Sequence, residues 1–285
     1  MRPNIKKSEW ELKLVPLVQE VEAEIKKAIP SFGPKTVLRD AIEYALMGQG
    51  KRFRPVLLLL TATSLNPNAN AMSAALAVEF FHTASLLADD LPCMDNDPMR
   101  RDHPSCHIKF NEATALLASF ALISSGYTRI ASSREAVEIA SSTTGTLGAC
   151  YGQYLDLFPP QMNQAFIMEV IEKKTVSLFE LSMALGWIFG GGKLSSLLTV
   201  KKAARDFGIA FQIADDFQDL EQDRKERNSM NLVHFVGLKK GTELLHYHVN
   251  EFLAGLDQLK LSDSLLTDIA QSLVIQGIGT ADSPH

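Results

Sequence analysis

The chain is predicted to be all-α, and three features carry that expectation. Residues 113 to 130, 135 to 157, 164 to 189 and 199 to 222 are long, mostly apolar segments with helical periodicity. No stretch alternates apolar and polar residues as a half-buried strand does. With 46% hydrophobic residues in a length of 285, the chain can bury a large core. No break in composition divides it, so residues 1 to 285 are read as one domain.

Taken in order, residues 8 to 28 carry mixed charge over helical apolar spacing, as an outer amphipathic helix does. Pro30, Gly33 and Pro34 punctuate the chain before a second helix at 36 to 47. Lys51, Arg52 and Arg54 then precede Pro55 and the run Leu57 to Leu60. Proline suits the first turn of a helix, so Lys51 to Arg54 fall at a helix N-terminus, where unpaired N–H groups and the dipole favour an anion. A solvated basic turn is the other reading of the same residues. Residues 71 to 91 are apolar on nearly every face, which places that helix inside the protein. Gly190, Gly191 and Gly192 lie between two helices, without the preceding strand of a phosphate-cradling loop, and read as a turn. Helical stretches such as 243 to 261 follow, and residues 277 to 285 read as a frayed tail.

The net charge of −5, with no basic stripe, excludes a nucleic-acid surface. The apolar runs fall short of the ~20 residues that cross a bilayer. Cys93, Cys106 and Cys150 make an odd set without a disulfide pattern, and no cleavable signal opens the chain, so a reducing cytoplasm fits. Cys93, His103, Cys106 and His107 raise the question of zinc, but their spacing matches no common structural finger.

Two acidic clusters organise the rest. The first is Asp89-Asp90-Leu-Pro-Cys-Met-Asp95, followed by Asp97, Arg100 and Arg101; the second is Asp215-Asp216-Phe-Gln-Asp219, preceded by Gln212. Crowded carboxylates in a cleft repel one another and need cations, and hard oxygen ligands point to magnesium. Asp215 and Asp219 are one helical turn apart on one face. Asp89 and Asp95 are six apart, but Pro92 should end the helix and let Asp95 swing back towards Asp89. His82 and Ser85 stand seven and four residues before Asp89, stacked beneath it.

With both clusters in this order, the chain resembles the trans-isoprenyl diphosphate synthases from about Gly48 to Asp219. The resemblance implies a bundle of long antiparallel helices around a deep central cavity. It implies that Asp89, Asp90, Asp95, Asp215, Asp216 and Asp219 hold Mg2+, usually three ions. Lys51, Arg54 and His82 match the positions that bind isopentenyl diphosphate, and Lys174 and Thr175 the catalytic positions that hold the allylic diphosphate, with Arg100, Arg101 and Gln212 as further substrate contacts. A homodimer is implied as well.

Product length should be set by the floor beneath the first cluster. One helical turn rises ~5.4 Å, close to one five-carbon unit, so a bulky residue one turn below Asp89 would stop growth early. Ala84 and Ser85 are small and favour geranylgeranyl diphosphate; Phe80 and Phe81, a turn further, are candidate stops. The chain departs from the family pattern at Ala88 (usually His), Ser119-Phe120 (usually Gly-Asp), Asp102-His103 (usually Gly-Lys) and Ser229 (usually Lys). A farnesyl diphosphate synthase, a terpene cyclase and a catalytically impaired regulatory subunit are therefore the competing readings.

Overall fold

The computed structural model of the chain describes residues 9–48, 50–160, 162–223 and 230–279. It begins with α1 (Glu9–Ala28), a 3-10 turn, α2 (Val37–Met47), α3 (Phe53–Leu65) and α4 (Met72–Asp89). A two-stranded hairpin follows, β1 (Met99–Arg100) and β2 (His103–Pro104), then the short α5 (Cys106–Lys109) and the long α6 (Glu112–Ile130). Next come α7 (Arg134–Thr144), α8 (Ala149–Leu157), α9 (Gln164–Val170), a π-helical turn (Ile171–Val176) and α10 (Ser177–Phe189). The chain closes with α11 (Leu197–Asp223), α12 (Leu232–Val236), α13 (Leu238–Leu259) and α14 (Leu265–Gly279). The all-α expectation holds, with the hairpin as the one sheet among the described residues.

The two helices that carry the acidic clusters each pack against at least three others. α4 packs against α3, α6 and α10, and α11 against α10, α13 and α14. One hydrophobic core runs through these contacts, with Phe80, Phe179, Phe207 and Phe252 fully buried in it. No helix among the described residues is long and apolar enough to cross a membrane.

Three sequence expectations need correction. Residues 135 to 157 form two helices, because Gly145-Thr-Leu-Gly148 interrupts them. A Cβ on Gly148 would stand 1.9 Å from the Thr143 carbonyl oxygen, so the tight turn depends on glycine. Residues 164 to 189 are α9 and α10 joined by the π turn rather than one regular helix. Finally, α14 continues to Gly279, three residues into the segment expected to fray.

Candidate active site

α4 ends where Pro92 requires, and the chain then folds back on itself. The Leu91 amide donates to the Ala88 carbonyl at 3.2 Å and the Asp95 amide to the Asp89 carbonyl at 2.9 Å. Asp95 thus returns to Asp89 as its spacing around Pro92 predicts. Burial pushes the Asp89 carboxyl up to about 6, opposed by the Lys174 ammonium and reinforced by Asp95. Asp95 is likewise raised by burial, and its Oδ1 accepts a 3.4 Å hydrogen bond from Gln153 of α8.

Asp90 turns away from this pair. It is buried, and its Oδ1 accepts hydrogen bonds from Arg100, the one from Nε at 3.0 Å. Arg100 lies on β1 of a hairpin whose turn residues, Arg101 (φ 53°) and Asp102 (φ 65°), are both left-handed, as a two-residue type I′ turn requires. Aspartate tolerates that conformation, so the tight turn survives where the family pattern has glycine.

The second cluster repeats this division. Asp215 is raised by burial, with Lys51 opposing and Asp219 reinforcing the shift, while Asp219 itself is exposed one turn on. Asp216 is buried; its Oδ1 accepts from Gln212 Nε2 at 2.9 Å and its Oδ2 from the Leu232 amide at 2.7 Å. Asn231 caps α12 and also donates to the Asp216 carbonyl at 2.8 Å. In each cluster, then, the middle carboxylate is taken up by protein donors, and the outer two remain as a pair. Ser229 lies outside the described residues.

The π turn joins the two clusters. It places Lys174 in an ion pair with Asp156 of α8, within the field of Asp89 and Asp95. Its next residue, Thr175, donates its hydroxyl proton to Gln212 at 3.0 Å, and Gln212 leads on to Asp216. α8 presses directly on this turn, since a Cβ on Gly152 would meet the Lys174 amide nitrogen at 2.2 Å.

A basic cluster stands beside Asp215 at the start of α3. Arg54 is drawn down to about 10 by burial, and its guanidinium lies 4.8 Å over the Phe179 ring. Its Nη1 is 3.4 Å from His82 Nε2. Arginine only donates, so Nε2 accepts and the imidazole proton sits on Nδ1. Burial, followed by Arg54 and Arg101, holds His82 far below the ordinary histidine range, so the ring is neutral. Its Nδ1 is buried without a protein partner, a donor left available beside the arginines.

Arg52, which the sequence grouped with Lys51 and Arg54 in the basic run expected to meet an anion, is instead the anchor of this loop. It is left-handed (φ 48°) and buried, paired to Glu79 at 2.6 Å, and it donates to the carbonyls of Leu46 at 2.6 Å and Gly48 at 3.0 Å. Gln153 and Asp156 were missed as well; a polar pair one turn apart on an otherwise apolar helix was their only signal.

Cys106 is buried with its thiol pushed up to about 11 by burial and Asp90, which disfavours the thiolate that zinc would need. Among the described residues, no three His, Cys, Asp or Glu side chains form a ready-made metal cage. The paired outer aspartates fit magnesium better, because that ion commonly takes one or two carboxylates and completes its shell with water and substrate phosphates.

Residues 35–230 match the Polyprenyl synthetase family. The chain belongs to that family, and it is a trans-prenyltransferase. Geranylgeranyl pyrophosphate synthase 9 of Arabidopsis thaliana is 32% identical over 88% of this chain and 78% of its own length. Among solved structures, an FPP/GFPP synthase from Zymomonas mobilis superposes with a TM-score of 0.81 at 28% identity, over 93% of this chain and 99% of that one. The geranyltranstransferase of Thermotoga maritima gives 0.80 at 29% identity, over 91% and 97%.

Ser119 and Phe120, where the resemblance leads one to expect Gly-Asp, find distinct places. The Ser119 hydroxyl is buried and donates to the Ala84 carbonyl at 2.9 Å, while Phe120 is exposed on α6. Ala84 is thereby sealed against α6, whereas Ser85 stays half-buried. The two phenylalanines below diverge. Phe80 is fully buried against Phe32 and the Arg129 guanidinium, and Phe81 packs edge-on against Tyr127.

Proposed function

We propose that this chain condenses isopentenyl diphosphate with an allylic diphosphate to form geranylgeranyl diphosphate, with magnesium as cofactor. The observation that carries this reading is the Lys174-Thr175 junction, which addresses the first aspartate cluster with one side chain and the second with the next. Asp89 with Asp95, and Asp215 with Asp219, would hold the Mg2+ ions. Asp90 and Asp216 instead fix Arg100 and α12. Bound magnesium supplies charge neutralisation to a departing diphosphate.

The residues around that site divide the two substrates. Lys174 and Arg100 meet the allylic diphosphate and stabilise charge that grows as its carbon–oxygen bond breaks. Lys51, Arg54, Arg101 and the Nδ1 proton of His82 hold the diphosphate of the second substrate. A neutral His82 donates a hydrogen bond without surrendering a proton. The double bond of isopentenyl diphosphate attacks the allylic cation, and the proton then lost goes to the released diphosphate, so no protein nucleophile is required. The half-buried Ser85 leaves room for growth past fifteen carbons.

Product analysis with isopentenyl diphosphate and, separately, dimethylallyl, geranyl and farnesyl diphosphates tests the reading. A twenty-carbon product supports it, and a fifteen-carbon product replaces it with farnesyl synthesis. Failure to elongate any starter transfers the chain to the regulatory-subunit reading. Asp156→Asn should leave the Lys174 ammonium without its fixed partner and lower kcat/KM for the allylic diphosphate about tenfold. The KM for isopentenyl diphosphate should stay unchanged; equal loss for both substrates would contradict the assigned division.

A homodimer belongs to the same proposal. Leu116, Leu117, Phe120 and Ile123 form an exposed apolar row at helical spacing on α6, with Phe120 55% exposed. Phe120→Glu is expected to shift the species seen by light scattering from dimer to monomer, and an unchanged mass would remove α6 from the interface.

A further inference from the structure

The floor under the first cluster is built from more than α4. Gln153 of α8 donates to Asp95 Oδ1 at 3.4 Å, which sets α8 beside the diphosphate end of the site. One turn below Asp89 stands the half-buried Ser85, and the next residue on that side of α4 is Phe81, 4% exposed. Phe80 points to the opposite side, against Phe32. The Phe81 ring lies 5.0 Å from the Tyr127 ring at an interplanar angle of 67°. It occupies the space that Gly126 leaves, since a Cβ there would come within 2.7 Å of Phe81 Cε1.

Tyr127 is itself tied down. The Thr144 hydroxyl donates to the Ala140 carbonyl at 2.7 Å, so its one proton is spent. The 3.4 Å contact between the two hydroxyls is therefore donated by Tyr127. Three helices meet at this point: α4 brings Phe81, α6 brings Gly126 and Tyr127, and α7 brings Thr144.

We propose that Tyr127, held by Thr144, sets product length by backing the Phe81 ring, and that Gly126 sets how far that ring withdraws from the growing chain. The inference rests on the elongation reading above and adds to it specificity residues outside α4. A stop at Phe81, one turn beyond Ser85, admits one five-carbon unit more than a stop at the Ser85 level. Replacing Tyr127 removes the backing and lets the ring retreat. A side chain on Gly126 pushes the same ring the other way, because its Cβ would stand 2.7 to 3.1 Å from three atoms of that ring. Adjacent residues thus act in opposite directions, which a general loosening of the fold does not produce.

The test compares wild type with Tyr127→Ala, Gly126→Ala and the milder Thr144→Val. Two readouts are taken: the chain length of the product, and equilibrium affinity for fifteen-, twenty- and twenty-five-carbon prenyl diphosphates. Tyr127→Ala should lengthen the main product by one unit and raise twenty-five-carbon affinity at least about tenfold, as expected for a newly buried isoprenyl unit. Gly126→Ala should shorten the product by one unit, and Thr144→Val should give a mixture of the wild-type and longer products. Unchanged product length and unchanged order of affinities in Tyr127→Ala and Gly126→Ala would overturn the proposal. If wild type fails to elongate, the catalytic reading falls, and the affinity series alone decides the floor by the same criterion.

Discussion

Asp89→Asn is expected to lower the elongation rate by about 10²- to 10³-fold, the scale seen when one preorganised electrostatic group is removed from a site of charge development. The same substitution should stabilise the metal-free protein. Burial raises Asp89 from the ordinary carboxylate value to about 6, so its ionised form is worse off in the folded state than in the unfolded chain. That penalty is complete above pH 6 and disappears as the pH falls to the unfolded value near 4. It is on the order of 1–2 kcal/mol once partial exposure is allowed for. With a chelator present, Asp89→Asn should melt above wild type at pH 7.5, and the difference should shrink at pH 4.5. Magnesium removes the penalty by occupying the ionised carboxylate, so the wild-type requirement for magnesium should rise steeply below pH 6. A variant that loses activity with no gain in metal-free stability would show that Asp89 is not held at a cost for metal binding.

Arg52→Ala should instead destabilise the protein by about 3–5 kcal/mol, as expected when one partner of a buried ion pair is removed. The Arg52 and Glu79 side chains are 2% and 5% exposed, so the glutamate would lose its 2.6 Å ion pair in a buried place and depend on the field of Arg54 and Arg101. Two carbonyls, those of Leu46 and Gly48, would also lose their donor. Denaturant titration measures the loss. Adding Glu79→Gln to Arg52→Ala should recover part of it, because the stranded charge is then gone. The released loop carries Lys51, so KM for isopentenyl diphosphate should rise in both variants. A loss below about 1 kcal/mol would rule out the pair as the anchor of this loop.

The long helices were legible because a buried helix imprints its period on the sequence: α4 is apolar around most of its circumference, and α11 carries an apolar stripe along one side. The acidic clusters were legible for the opposite reason, as charge where periodicity demands none. Pro92 announced the return of Asp95 through the loss of a backbone donor. The division of labour within each cluster was not legible: Asp89 and Asp90 are chemically identical, and only the position of Arg100, ten residues on and across a hairpin, separates them. Asp216 is fixed in the same way by the Leu232 amide, a backbone group that every residue type offers. Arg52 was hidden among neighbouring cations, since burial of one side chain in a basic run depends on Glu79, far along the chain. The break at Gly145 and Gly148 was signalled by residue type, but the apolar residues on either side keep a helical rhythm across it.

The π turn between α9 and α10 behaves as a phase shifter. An α-helix locks every residue to one angular schedule, so a change that improves core packing at one end rotates or slides the other. One residue of slack at Ile171–Val176 separates the schedules of the two helices. Lys174 and Thr175 are carried by the slack itself, pinned from outside by Asp156 and Gln212 rather than by the register of either neighbour. Substitutions that repack α9 or α10 can therefore accumulate without turning the reactive pair out of alignment, and the chemistry is insulated from drift in the scaffold that bears it.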